Sequence, residues 1–164
     1  MTTPATGQGG DDPVAALALV VLDTIVNEYE QRGLDLPADR RVVVGELAVE
    51  GETLGVMFGG CHVGPPGNEL SQPFRGDNPR SAIFSIELWR KISTGKGGAR
   101  TARAPRADVV TAQASTTMVD SWVLLEAAFK CDYIGGPGVI AATAPLAPSG
   151  GLQGVTLSLT LQVP

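Results

Sequence analysis

The sequence predicts an α+β domain: a mostly antiparallel sheet of about four strands with two helices packed on it, in the order α-β-β-β-α-β, with long inter-element loops. Three observations point there. Apolar residues recur at helical spacing across residues 12–32, Met118, Trp122, Leu125 and Phe129 recur at i, i+4, i+7 and i+11, and residues 152–163 alternate with period two. A chain of 164 residues, 43% of them hydrophobic, suits one domain that buries roughly 70% of its unfolded surface. Residues 1–11, small and polar, form a flexible N-terminal arm, and residues 12–164 form the single domain.

In the first helix, Asp12 reads as the N-cap, Pro13 as the first helical residue and Gly33 as the left-handed position past its end. Its apolar residues fill an arc of about 200°, twice the stripe of about 100° that one sheet requires. The excess marks a subunit interface made by Leu17, Leu19, Leu22, Val26 and Tyr29, with cover by the chain's own loops as the alternative. Residues 40–49 and 53–63 read as a hairpin turning at Glu50, Gly51 and Glu52. Residues 79–92 form a third strand with Ala82, Phe84, Ile86 and Leu88 on one face. A second helix starts near residues 105–108 and ends near Asp132, with Met118, Trp122, Leu125 and Phe129 as its core stripe. The last strand turns Val155, Leu157, Leu159, Leu161 and Val163 inward. Between these elements, residues 64–78, 93–104 and 135–151 read as Gly- and Pro-rich loops, long for a compact domain and suited to ordering against partners.

Charge is unevenly spread. Residues 1–89 carry 13 acids and 5 bases, whereas residues 90–107 carry 6 bases and no acid. Those cations, Arg90, Lys91, Lys96, Arg100, Arg103 and Arg106, form a basic loop able to follow a phosphate backbone, with a solvated loop or one pairing with the acidic body of a neighbour as the alternative. No aromatic residue is interleaved, so base stacking is not expected.

No motif announces catalysis, and the chain reads as a non-enzyme without cofactor or metal. Residues 93–98, STGKGG, lack the first glycine and the hydroxyl of a phosphate loop. His62 stands beside Cys61 without further ligands, and neighbours on a strand point to opposite faces. Glu46, Glu50 and Glu52 read as a solvated edge. Cys61 and Cys131 read as buried free thiols of a reducing compartment. The apolar run from Val14 to Val26 is broken by Asp23, so neither signal peptide nor membrane span is expected, and a soluble protein made in a cytoplasm is.

Five segments carry a resemblance: ALALVVLDTIVNEYEQRG, RRVVVGELAVEGETLGVMF, SAIFSIELWRK, VDSWVLLEAAF and GVTLSLTLQV. Across residues 12–163 they resemble the tail terminator proteins of long-tailed (siphovirus-type) bacteriophages that infect actinobacteria. The resemblance implies a structural virion protein, assembled in the host cytoplasm, that forms a ring, commonly a homohexamer, at the head-proximal end of the tail tube. Such a ring ends tube polymerisation and joins the tail to the head–tail connector or head-closure protein. Its partners are itself, the tail-tube protein, the connector and the genomic DNA that crosses its lumen; no membrane, cofactor or catalytic residue is implied. Another ring component of the same particle, tail-tube or head-closure protein, and a non-specific DNA-binding module are the alternatives.

Overall fold

The computed structural model describes residues 13–63, 80–92, 107–131 and 139–163. Helix α1 spans Pro13–Gln31 and is followed by β1 (Asp39–Val44), β2 (Thr53–Val63) and β3 (Arg80–Lys91). Helix α2 (Ala107–Lys130), β4 (Val139–Ser149) and β5 (Leu152–Val163) come after them. The strands form one sheet in the order β1-β2-β3-β5-β4. Both helices pack on one face, where Leu54 and Val56 of β2, Phe84 and Ile86 of β3, and Leu157 and Leu159 of β5 meet Val21, Ile25, Leu124 and Ala127. The predicted arm at residues 1–11, the Asp12 cap and the loop at 64–78 lie outside the described residues.

Helix α1 ends as its sequence demands. Gly33 is left-handed (φ 67°). The Leu34 amide donates to the Tyr29 carbonyl at 3.0 Å and the Gly33 amide to the Glu30 carbonyl at 3.1 Å, the double bond of a Schellman motif. The α1 arc is wide because the helix packs on α2 as well as on the sheet, so most of the apolar excess is covered within the chain.

Three expectations need correction. First, β1 and β2 are not a hairpin: they pair in parallel, with Asp39 opposite Thr53 and Val44 opposite Phe58. Gly45 (φ 89°) stops β1 well short of residue 49. A parallel neighbour ordinarily needs a longer connection, but β1 is only 6 residues long. Residues 45–52 need therefore return only about 17 Å, within the roughly 27 Å that they can span. Second, residues 139–149 are an edge strand, so the sheet has five strands and the chain order gains a final β. The sequence VIAATAPLAPS hides this strand because Ala and Pro disfavour strands. At an edge, Pro145 and Pro148 forfeit no necessary donor. Third, α2 has the expected bounds but is turned the other way. Val123, Leu124, Ala127, Ala128 and Cys131 are buried, while Met118, Trp122 and Phe129 lie outside.

A buried polar knot fixes that rotation. Asp120 accepts from Arg90 Nε at 2.8 Å, from Arg90 Nη2 at 3.1 Å and from the Tyr29 hydroxyl at 2.7 Å. Arg90 Nη2 also donates to the Asp35 carbonyl at 2.8 Å, and the guanidinium lies 5.8 Å from the Tyr29 ring centroid. Burial, with the Asp120 charge, pushes the Tyr29 phenol well above its usual range. A second lock joins the helices further along: buried Glu28 accepts from Lys130 and Arg32, and Arg32 also meets Glu126. The Lys130 bond, opposed by burial and assisted by Arg32, holds the Glu28 carboxyl below its ordinary value of 4.5.

Asp120→Asn is expected to destabilise the fold by about 3–5 kcal/mol in chemical denaturation, because it leaves the Arg90 charge buried without a counter-ion. Asp120→Asn with Arg90→Met should cost less than the two separate losses added together. Since Glu28 is depressed in the fold, its contribution is present above the ordinary carboxylate range and fades as pH falls below it. Denaturant titrations from pH 7 to pH 3 should therefore show a smaller loss of stability for Glu28→Gln than for the unaltered chain.

Candidate functional site

Of the six predicted cations, the fold engages Arg90 and leaves Lys91 at the strand end. The Arg90 side chain is turned into the polar knot and half-buried by it, so it is a structural group. Burial works against its charge, but the bonds to Asp120 and the charge of that carboxylate raise its pKa. Lys91 is exposed, and its amide donates to Glu52 Oε2 at 3.0 Å. Lys96, Arg100, Arg103 and Arg106 lie outside the described residues.

The predicted α1 interface is largely an interior. Leu17 and Tyr29 are buried in the core, which corrects their assignment to a subunit contact, and Leu22 and Val26 pack against the same core. Leu19 alone of the five is open, at 53% exposure. Cys131 is buried as expected and burial raises its thiol pKa, whereas Cys61 is exposed, against expectation. The His62 side chain lies outside what the structure describes.

Two surfaces stand out instead. One is the outer side of α2, where Trp122 is 59% exposed, Phe129 56% and Met118 49%. With half-buried Leu125 they fall within about 60° of arc, diametrically opposite the buried side of the helix. The buried side uses small residues, Ala127 and Ala128, which let the helix sit close to the sheet, and the large side chains are turned away. An exposed apolar stripe opposite a helix's own core side is a candidate interaction surface. Its residues were legible, but not the direction in which they point.

The other surface lies on the sheet face away from the helices. There residues 45–52 cross over the sheet and are tied down at two points: Arg41 Nη2 donates to the Ala48 carbonyl at 2.9 Å, and Leu47 packs with Met57, Trp89 and Leu152 in a second apolar cluster. Glycines make room for it. A Cβ on Gly55 would stand 2.8 Å from the Leu47 methyls, and one on Gly154 would stand 3.0 Å from the Trp89 ring. Between crossover and sheet lies a cavity of about 740 Å³, with Leu47, Met57 and Trp89 in its walls beside Glu46, Glu50 and Glu87. The Trp89 indole donates to Glu87 Oε1 at 2.8 Å. Glu46 and Glu50 are exposed, as the solvated-edge reading expects, and also border the cavity; Glu52 meets the Lys91 amide.

No family model matches the chain, and neither does any curated protein. Among the described residues, no group of three or more His, Cys, Asp or Glu is placed to hold a metal ion. No described helix is long and apolar enough to cross a membrane. Chemically, one surface is apolar and the other sets acidic residues beside an apolar wall.

Gly55→Val should lift Leu47 off the sheet and lower stability by about 1–3 kcal/mol. In a Trp122→Phe background only Trp89 of the two tryptophans remains. Its emission is expected to shift to the red on Gly55→Val as the indole meets water.

Proposed function

We propose that the chain is a structural subunit of a bacteriophage tail, forming a ring at the head-proximal end of the tail tube. There it ends tube polymerisation and joins the tail to the head–tail connector or head-closure protein. The observation that carries the reading is the outward stripe of Met118, Trp122 and Phe129. Three large apolar side chains turned to solvent cost free energy that only a partner recovers.

The resemblance of five segments to tail terminator proteins supplies the identity of the assembly, and the stripe supports the requirement for one. A closed ring of identical subunits joined head to tail needs two different surfaces on each copy. The α2 stripe and the acidic cavity differ in chemistry and belong to opposite layers of the domain. The cations Lys96, Arg100, Arg103 and Arg106 then meet either the DNA crossing the lumen or the next subunit.

Particles made without this protein should carry overlong tails that lack heads when seen by electron microscopy. Tails of normal length bearing heads would refute the terminator role. In the purified chain, Trp122→Glu with Phe129→Glu should leave helix content by circular dichroism unchanged, since both side chains are exposed. Light scattering should then report subunits where the unaltered chain gives rings.

A further inference from the structure

We propose that the acidic cavity under residues 45–52 receives Lys or Arg side chains from residues 93–106 of a second copy of this chain. This inference rests on the assembly reading above and names one of its contacts.

The cavity is built for a cation on a long apolar stem. Exposed Glu46 and Glu50 border it beside Glu87, whose Oε1 accepts from the Trp89 indole, while Trp89, Met57 and Leu47 contribute an aromatic and aliphatic wall. An arginine or lysine matches both halves: its methylenes lie along the apolar wall, and its head meets carboxylates and the indole face. At about 740 Å³ the space falls within the roughly 300–1,000 Å³ of sites that enclose sizeable ligands. Leu47 and Trp89 are seated tightly over glycines, so the walls are preformed.

The occupant follows from charge. Residues 93–106 contain Lys96, Arg100, Arg103 and Arg106 without one acid, whereas residues 1–89 hold 13 acids against 5 bases. Arg90 is consumed by Asp120 and Lys130 by Glu28, so those two cations are already engaged within the fold. Topology favours a second copy over the same chain. The described chain leaves β3 at Ile92, whose amide is tied to the Gly151 carbonyl at 2.9 Å, and resumes in α2 on the helix side of the sheet. The cavity is on the opposite face, so a segment seated in its own copy's cavity would have to cross the end of the sheet within residues 93–106 to reach α2. A neighbour need not.

The test uses a fluorescent peptide of residues 93–106 and the full chain carrying Lys96→Gln, Arg100→Gln, Arg103→Gln and Arg106→Gln. Fluorescence anisotropy should show saturable binding that weakens as salt rises. Glu46→Gln, Glu50→Gln and Glu87→Gln together should weaken it by about tenfold or more. Asp23→Asn, Glu30→Gln and Asp35→Asn, which remove equal charge from exposed positions elsewhere, should leave it within about twofold of the parent. No binding, or equal weakening by the two triple variants, overturns the proposal. Mixing the cavity variant with the four-cation variant should restore association that each lacks alone; a mixture no better than its components overturns the second-copy assignment. A chain that forms rings yet ignores the peptide defeats this inference and spares the assembly reading. Peptide binding by a chain that stays monomeric defeats the assembly reading, and leaves the contact within one chain.

Discussion

The Arg90–Asp120 ion pair decides how the domain is put together. An ion pair taken out of water is tolerated when both charges are partnered, and here they are. Both Asp120 oxygens accept, Tyr29 supplies a third donor, and the remaining reach of Arg90 ends on the Asp35 carbonyl. One knot thus joins the central strand, the end of α1 and the middle of α2. With Asp120 held inward, helical geometry sends Val123, Leu124, Ala127 and Cys131 inward too. Met118, Trp122 and Phe129 are left no side but the outer one. The solvent-facing stripe is therefore a consequence of a buried charge, and not of a helix short of core to cover.

That dependence explains what could be read in advance. Helix α1 was legible at both ends from Pro13 and Gly33, and β3 and β5 were legible from their alternation. The bounds of α2 were also legible, but not its rotation. Periodicity counts large apolar residues, and in α2 Met118, Trp122 and Phe129 lie opposite a buried face of Val123, Leu124, two alanines, Cys131 and one carboxylate. The parallel pairing of β1 was hidden because a short return over the sheet resembles a turn in sequence. The Ala- and Pro-rich β4 carries almost no local strand preference and exists because β5 offers it an edge. The cavity could not be read at all: Glu46, Glu87 and Leu152 come together only through the crossover and the sheet.

The two surfaces divide the domain's outward chemistry. On the helix layer, the exposed apolar stripe lies beside charges that are paired: Glu126 is bound by Arg32 and Lys130 by Glu28. The far sheet face carries small polar residues such as Ser158 and Thr160 and a cavity bordered by Glu46, Glu50 and Glu87. In the proposed ring, surfaces so unlike one another would serve a directional, head-to-tail contact rather than a two-fold pairing of identical patches.

The strand order has a bearing on biosynthesis. Strand β5 leaves the ribosome after β3 and β4, yet it is inserted between them. Until it arrives, the growing polypeptide holds β3 with one flank unpaired and β4 with no neighbour, a state open to mispairing with other nascent chains. A premature stop codon before Leu152 would thus delete one strand and strand another, leaving β1, β2 and β3 as the whole sheet.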